Sequence, residues 1–469
     1  MVPAGRGKGR TAATDEAPMT VLRCCKVNRG HWLCLLIAAA AFSLCGADRE
    51  FTPYDSVKAL LPAELGISDR AQWLAWCQRQ DQAVRARLEQ GDLDSLANLL
   101  LLGASFTQQP RVPMDQITAA SKAGILRARV DDLVAGLRHP NGNERLLFAQ
   151  SLLRRQGIDP EGPQDSRLGL FLYNNLLRVM KGEIGLGERV AEAQKLMRRD
   201  DPASLLNRSS AFQDRGVSLD TGIQPDFLID EALRDLKKRG VLREGQVARI
   251  AVVGPGLDFI DKNEQYAFDY YPQQTLQPFA LYDSLVRLGL AKHDGLSVSI
   301  LDISSRVIEH IRAARERAAN GVSYVVQLPR DVSRPWPAEL VGYWKSLGDQ
   351  VGSAVSPIRP PAIFPGLETR AVSIRPEVVR ACEPVDLNIV LERLNLAAGE
   401  HFDLMVATNI FVYYDTFQQT LALENAGAML KPGGLLLTND RLPERAGGSM
   451  RLAGINVAGN NAVGWYRKQ

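Results

Sequence analysis

The residues best suited to chemistry stand at the ends of two short apolar runs. Ile250 to Val253 stops at Gly254-Pro255-Gly256 with Asp258 just beyond, and Ser297 to Leu301 stops at Asp302 with Ile303 after it. Four apolar residues bounded by Gly and Pro read as a strand buried on both faces. Glycines after it let the backbone turn sharply and approach a ligand, because a Cβ would block both. An ionised carboxylate ending the next strand can accept from two neighbouring hydroxyls at once, as a ribose diol requires. Together these features suggest a nucleotide site. Each also has a plainer reading: a tight strand-to-loop turn without a ligand, and an N-cap at Asp302 for a helix over Ser304 to Ala319. Only the GxG of the GxGxxG fingerprint is present, and Asp302 lies further along than usual because an aromatic loop, Lys262 to Pro278, intervenes.

These residues need a parallel sheet to bring them together, and the second half of the chain alternates strand and helix signals as such a sheet demands. An amphipathic helix over Asp226 to Arg239 leads into the first strand, and a helix over Phe279 to Leu288 into the second. Tyr324 to Leu328 reads as a further strand, after which seven prolines through Pro365 interrupt any long element; an insertion over 322–365 is expected, either a lid or a variable surface loop. Val385 to Asn388 and Leu404 to Ala407 read as strands, the latter running into Thr408-Asn409. A helix over Phe417 to Leu430 is stopped by Lys431-Pro432-Gly433-Gly434, a strand follows to Thr438, and Gly448 to Val457 with Ala462 to Arg467 reads as a closing antiparallel pair.

The first half reads as helical. Asp69 suits an N-cap for a helix ended by Gly91, Leu93 to Leu102 is apolar nearly all round, and helices are expected over 114–137, 144–156, 167–179 and 188–199. Its Trp, Leu and Phe residues read as core, and no repeat period or catalytic histidine stands out. The expected organisation is a leader over 1–47, a helical domain over 48–203, a linker over 204–225 and an α/β domain over 226–469.

With 469 residues, 45% hydrophobic and 23% charged, the chain belongs with multidomain globular proteins. Of the formal +3 charge, a surplus of +4 lies in the first 47 residues, so the body is near −1 and no broad nucleic-acid footprint is expected. A basic segment to Arg29, an apolar run from Trp32 to Leu44, and Cys45-Gly46-Ala47 before charged residues form the three-part pattern of a secretory signal. Export or a periplasmic location follows if that leader is genuine, and a cytoplasmic one if the start is misplaced. Membrane contact is expected only through an uncleaved leader. Leu44 before Cys45 argues against a lipidation site. Cys77 and Cys382, far apart, make neither a disulfide framework nor a metal site by spacing.

FDLMVATNIFVYYD (402–415), followed about sixteen residues later by LKPGGLLLTND, resembles motif four through strand five of the class I S-adenosylmethionine-dependent methyltransferases. With the DLN run at Asp386-Leu387-Asn388, it is particularly similar to the chemotaxis receptor methyltransferases. The resemblance covers roughly Phe227 to Lys468. It implies a Rossmann-like seven-stranded sheet with an antiparallel last strand, and S-adenosyl-L-methionine as cofactor. By position it implies that Gly254, Pro255, Gly256 and Asp258 border the methionine part, that Asp302 and Ile303 meet the ribose and Asp386, Leu387 and Asn388 the adenine, and that Thr408 lies beside the cofactor. Asn409 would then align the acceptor at the mouth, with Tyr413 and Tyr414 as candidate bases or pocket walls. The acid that usually opens motif one is absent, as is the third glycine.

Two functions follow from this reading. The first is methyl transfer to an unidentified small-molecule or protein acceptor, in which catalysis is mainly in-line positioning. The second is a catalytically inactive methyltransferase-like ligand-binding protein of the cell envelope. A nicotinamide-dependent oxidoreductase is a third reading, opposed by LKPGG and the closing antiparallel pair.

Overall fold

The computed structural model describes residues 48–107, 118, 120–162, 167–181, 216–257, 268–363, 366–444, 447–458 and 461–469. The leader, the helix expected over 188–199, most of the linker and Asp258 fall outside the described residues. In chain order, β1 (Arg49–Phe51) precedes α1 (Arg70–Leu102), α2 (Lys122–Arg138), α3 (Glu144–Arg155) and α4 (167–181). Helix α5 (Ile223–Lys238) then introduces β2 (Arg249–Val253), α6 (Gln277–Arg287), β3 (Ser297–Asp302) and α7 (Ser305–Ala319). After β4 (Tyr324–Asp331), α8 (Ala338–Ser346), β5 (Gly352–Val355), β6 (Leu367–Ile374) and α9 (Pro376–Arg380), the sheet resumes with β7 (Cys382–Asp386). β8 (Glu392–Leu394), β9 (Phe402–Ala407), α10 (Thr416–Met429), β10 (Leu430–Thr438), β11 (Met450–Ala458) and β12 (Asn461–Lys468) complete the described chain.

Seven strands form one sheet in the order β11-β12-β10-β9-β2-β3-β7. β2 is central, parallel to β3 on one side and β9 on the other, and four of its five residues are buried, as a strand covered on both faces requires. β12 runs antiparallel to both β10 and β11. This is the α/β, Rossmann-like sheet with an antiparallel last strand that the sequence led us to expect. Because β2, β3, β7 and β9 are parallel, their carboxyl ends share one edge, where open α/β sheets place ligands. Helix α10 enters that edge through a capping box in which the Asp415 side chain accepts from Gln418 N and the Gln418 side chain from Asp415 N.

Several boundaries differ from the sequence reading. β7 ends at Asp386, because its parallel register with β3 closes at the Asp302–Asp386 pair, leaving Leu387 and Asn388 beyond the strand. The insertion is not irregular: β4, β6 and β5 form an antiparallel sheet of their own, in the order β4-β6-β5, and it continues to Ile374. Pro329 lies inside β4, tolerated because β4 is an edge strand.

The expected break at Gly91 does not occur, and α1 is one helix of 33 residues. Asp69 caps it as expected, accepting from Gln72 N. Gly91 is there because the segment 216–222, which we term the strap, crosses the helix at that point. An ideal Cβ on Gly91 would lie 1.9 Å from the Val217 carbonyl oxygen, and Val217 N donates to the Arg87 carbonyl at 3.0 Å. A helix interior normally disfavours glycine by about 1 kcal/mol against alanine; close backbone approach outweighs that here.

Trp73, Trp76, Cys77 and Val84 of α1 belong to the same apolar cluster as Ala251, Val253, Met405 and Leu436 of the sheet. Thus part of one sheet face is covered by the N-terminal helix. The rest of α1 packs with α2, α3 and α4 in a separate cluster built from Leu96 to Met180. Among the described residues, no helix is long and apolar enough to cross a membrane.

Candidate functional site

The carboxyl ends of β2 and β3, with the loops that follow β7 and β9, wall one cavity. Gly254 and Gly256 line it from the first turn, Asp302 and Ile303 from the second strand, Leu387 and Asn388 from beyond β7, and Tyr413 and Tyr414 from the approach to α10. Eight sequence-predicted residues therefore meet at one place. Both glycines have left-handed backbones, with φ of 61° and 71°. Their bare faces serve packing: an ideal Cβ on Gly254 would lie 2.2 Å from Ile410 Cδ1, and one on Gly256 would lie 2.3 Å from the Leu219 carbonyl oxygen of the strap.

Asp302 supplies the carboxyl group of this wall. It is 5% accessible. One oxygen, Oδ1, accepts from Ser304 N at 2.7 Å, while Oδ2 is buried without a hydrogen-bond partner. Ser304, not Asp302, occupies the N-cap position of α7, so the capping alternative uses at most half of the carboxyl group. Burial pushes the Asp302 acid up to about 7, against the lowering effect of the Ser304 and Ile303 amides and with some help from the nearby Asp386 charge. A buried acceptor without a donor costs roughly 1–3 kcal/mol, and a ligand hydroxyl would relieve it.

The other expected residues are engaged elsewhere. Asp386 is half exposed and accepts from Arg85 Nη2 at 2.9 Å, with Arg49 Nη1 at 3.4 Å. Asn388 donates through Nδ2 to Asp81 Oδ1 at 2.8 Å. Thr408 accepts from Gln277 Nε2 at 2.8 Å. Asn409 is exposed with φ of 59°. It pairs with Asn439, whose Oδ1 accepts from Asn409 N at 2.8 Å and whose Nδ2 donates to Asn409 Oδ1 at 2.7 Å. Pro255, Asp386, Thr408 and Asn409 are not part of the cavity wall. The Tyr413 hydroxyl accepts from Ser218 N at 3.3 Å. Tyr414 is fully enclosed, and burial raises its phenol well above the ordinary range, which suits a wall better than a base.

Sequence reading missed the roof of this cavity. Val217, Ser218 and Leu219 of the strap lie over it, beside Leu88 of α1, and Arg87 Nη1 donates to the Tyr413 carbonyl at 2.8 Å. Arg85 ties Asp81 (2.8 Å) to Asp386 and to the Ile303 carbonyl (2.9 Å). Asp81 and Arg85, four apart, carry only the signal of an ordinary helix-surface pair. With the roof down, the cavity holds about 40 Å³, against roughly 300–1,000 Å³ for a small-molecule site. A nucleoside enters only if the roof lifts.

Replacing Arg85 by alanine removes three of these ties. Because Asp386 is half exposed, screening reduces the loss to about 1 kcal/mol, read as a lowered urea midpoint. An unchanged midpoint would mean that the guanidinium is solvated in solution.

No family model matches the sequence, and no curated protein matches it significantly. Among solved structures, the N-methyltransferase NodS from Bradyrhizobium japonicum WM9, in complex with S-adenosyl-L-homocysteine, is 12% identical. That match covers 53% of this chain and 89% of that one, with a TM-score of 0.25. The rRNA methyltransferase AviRa from Streptomyces viridochromogenes is 8% identical, covering 53% of this chain and 85% of that one, with a TM-score of 0.26. MtNAS in complex with MTA and tNA is 11% identical, covering 76% of this chain and 91% of that one, with a TM-score of 0.24. At these values the likenesses add nothing to the chemistry, which rests on the strand order and the cavity.

Proposed function

We propose that this chain binds S-adenosyl-L-methionine at the carboxyl edge of its sheet and transfers the methyl group to an acceptor. The observation that carries the reading is the unpartnered Oδ2 of Asp302, buried in a cavity wall at the end of the strand beside β2. In that position an ionised carboxylate grips a ribose diol. The cofactor supplies an activated methyl group on a sulfonium, so the protein's task is orientation and exclusion of water. Asp302 would hold the ribose, while Leu387 and Asn388 would border the base. Asn409, set by Asn439, would stand on the acceptor side.

A second reading, a binding protein without catalysis, draws on Asp386: the residue expected at the adenine already carries two arginines. Isothermal titration of the full chain with S-adenosyl-L-methionine, S-adenosyl-L-homocysteine and NAD separates these readings. Micromolar binding of the first two, with methyl transfer to some acceptor, is the expected result. Binding without transfer across acceptor classes would favour the second reading, and failure of the folded protein to bind either would remove the first and leave the second with a different ligand. If the leader is cleaved, the protein acts outside the cytoplasm; the mature N-terminus, read by mass spectrometry, tests that proposal.

A further inference from the structure

The glycine turn after β2 is occupied by the chain itself. The Leu219 carbonyl of the strap accepts at 2.8 Å from the Leu257 amide, the one next after Gly256, and lies against the bare face of Gly256. Glycine in such a turn lets a ligand approach the backbone; here a main-chain oxygen takes that place. Beside it, Ser218 N donates to the Tyr413 hydroxyl at 3.3 Å, and Val217 N to the Arg87 carbonyl at 3.0 Å. We infer that the strap is an autoinhibitory plug: it sits where a ligand of this edge would sit, and binding requires its displacement. The inference rests on the function proposed above for the identity of that ligand.

Two observations set a plug apart from a permanent cover. The groups the strap engages belong to the site, since Gly256 and Tyr413 both line the cavity, and with them engaged about 40 Å³ remains. Yet Asp302 Oδ2, buried in the same wall, is left without a partner, which a segment serving only to complete the core would be expected to satisfy. The attachments also suit release. The bonds through Val217 N and Leu219 O are well formed, but those from Ser218 N and from Ser95 Oγ to Asp220 Oδ1 are long, at 3.3 and 3.4 Å. Ser218 Oγ donates to Asp220 Oδ2 at 2.9 Å and accepts from Asp220 N at 3.2 Å, and both bonds lie within the strap, so it keeps them when it lifts.

The seat of the plug is a crossing of two glycines. An ideal Cβ on Gly91 would lie 1.9 Å from the Val217 carbonyl oxygen, and one on Gly216 would lie 2.1 Å from Gly91 N. Alanine is a better helix former than glycine, so a methyl group at Gly91 leaves α1 helical and forces the strap off it. Apparent affinity is the intrinsic affinity reduced by the fraction of molecules that are open. Expelling the plug therefore tightens binding without adding any contact to the ligand.

The test uses the full chain, with S-adenosyl-L-homocysteine as the probe and hydrogen exchange at the Leu257 amide measured without ligand. In the wild type that amide should exchange at least tenfold more slowly than an unprotected one. Gly91→Ala should remove the protection and tighten probe binding at least tenfold. Gly216→Ala meets the same crossing from the strap side; it should give both changes, and it replaces Gly91→Ala should that variant fail to fold. Unchanged or weaker probe binding by a folded variant whose Leu257 amide has lost protection overturns the plug and leaves the cofactor reading intact. An unprotected Leu257 amide in the wild type, or protection that survives both substitutions, overturns the plug whatever the ligand. Loss of protection as expected, with no probe binding by the wild type or either variant, overturns the proposed cofactor and supports a plug against a different ligand.

Discussion

Replacing Asp302 by alanine lowers the affinity for S-adenosyl-L-methionine roughly 10- to 150-fold, since hydrogen bonds to a charged group contribute about 1.5–3 kcal/mol. The fold survives: the substitution removes the acceptor for Ser304 N at the start of α7, while Oδ2 has no protein partner to lose. The pH dependence separates this from a structural effect. Asp302 titrates near 7 in the folded protein and near 4 when unfolded. Between those values the native state holds a proton that the unfolded state has released, so stability contributed below pH 4 declines as pH rises to about 7. Ligand hydroxyls favour the ionised form, so wild-type affinity should climb with pH through about 7 and then level off. Asp302→Asn should flatten both curves. Titrations and urea midpoints at pH 5, 6, 7 and 8 check this; a wild-type affinity that is flat across the range would remove Asp302 from the site.

Of the two glycines in the cavity wall, Gly256 should tolerate an added methyl group least. A left-handed backbone costs an L-residue roughly 1–2 kcal/mol, and crowding a packed interior costs about 1–3 more. Reduced freedom of the unfolded chain returns up to about 1 kcal/mol, leaving a net loss of roughly 1–5 kcal/mol. Gly254→Ala carries similar backbone strain, but its Cβ meets the tip of the Ile410 side chain, which can rotate, whereas that of Gly256 meets main-chain oxygen of the strap. Urea unfolding should therefore rank Gly256→Ala below Gly254→Ala. Equal losses would show that backbone conformation, not the strap, sets the cost.

What could be read from the sequence was what is locally encoded. An apolar run stopped by Gly or Asp marks β2 and β3, and LKPGG with the closing pair marks the far side of the sheet; these features were enough to identify the α/β fold and most of the cavity wall. The roof was not legible. Arg85 and Asp386 lie 301 residues apart, and nothing in the DQAVR segment distinguishes a solvated pair from one that crosses to the sheet. Gly91 read as a stop signal because its cause, the Val217 carbonyl, is supplied by a distant segment. The insertion read as irregular because its prolines mask two further strands, β5 and β6, while β4 tolerates Pro329 only by standing at an edge.

The covering of the sheet by α1 also sets a timetable for synthesis. Thr52 bonds to the Leu391 carbonyl across 339 residues, and Trp73 and Trp76 pack in the cluster that includes Met405 and Leu421. At about 5–20 residues per second, a ribosome needs roughly 20–70 seconds to deliver those partners. For that interval two tryptophans and a cysteine of the nascent chain lack part of the native surface they bury against. The locally connected α2 and α3 can form before that, whereas the N-terminal half of α1 completes its packing only once β9 and α10 have been made.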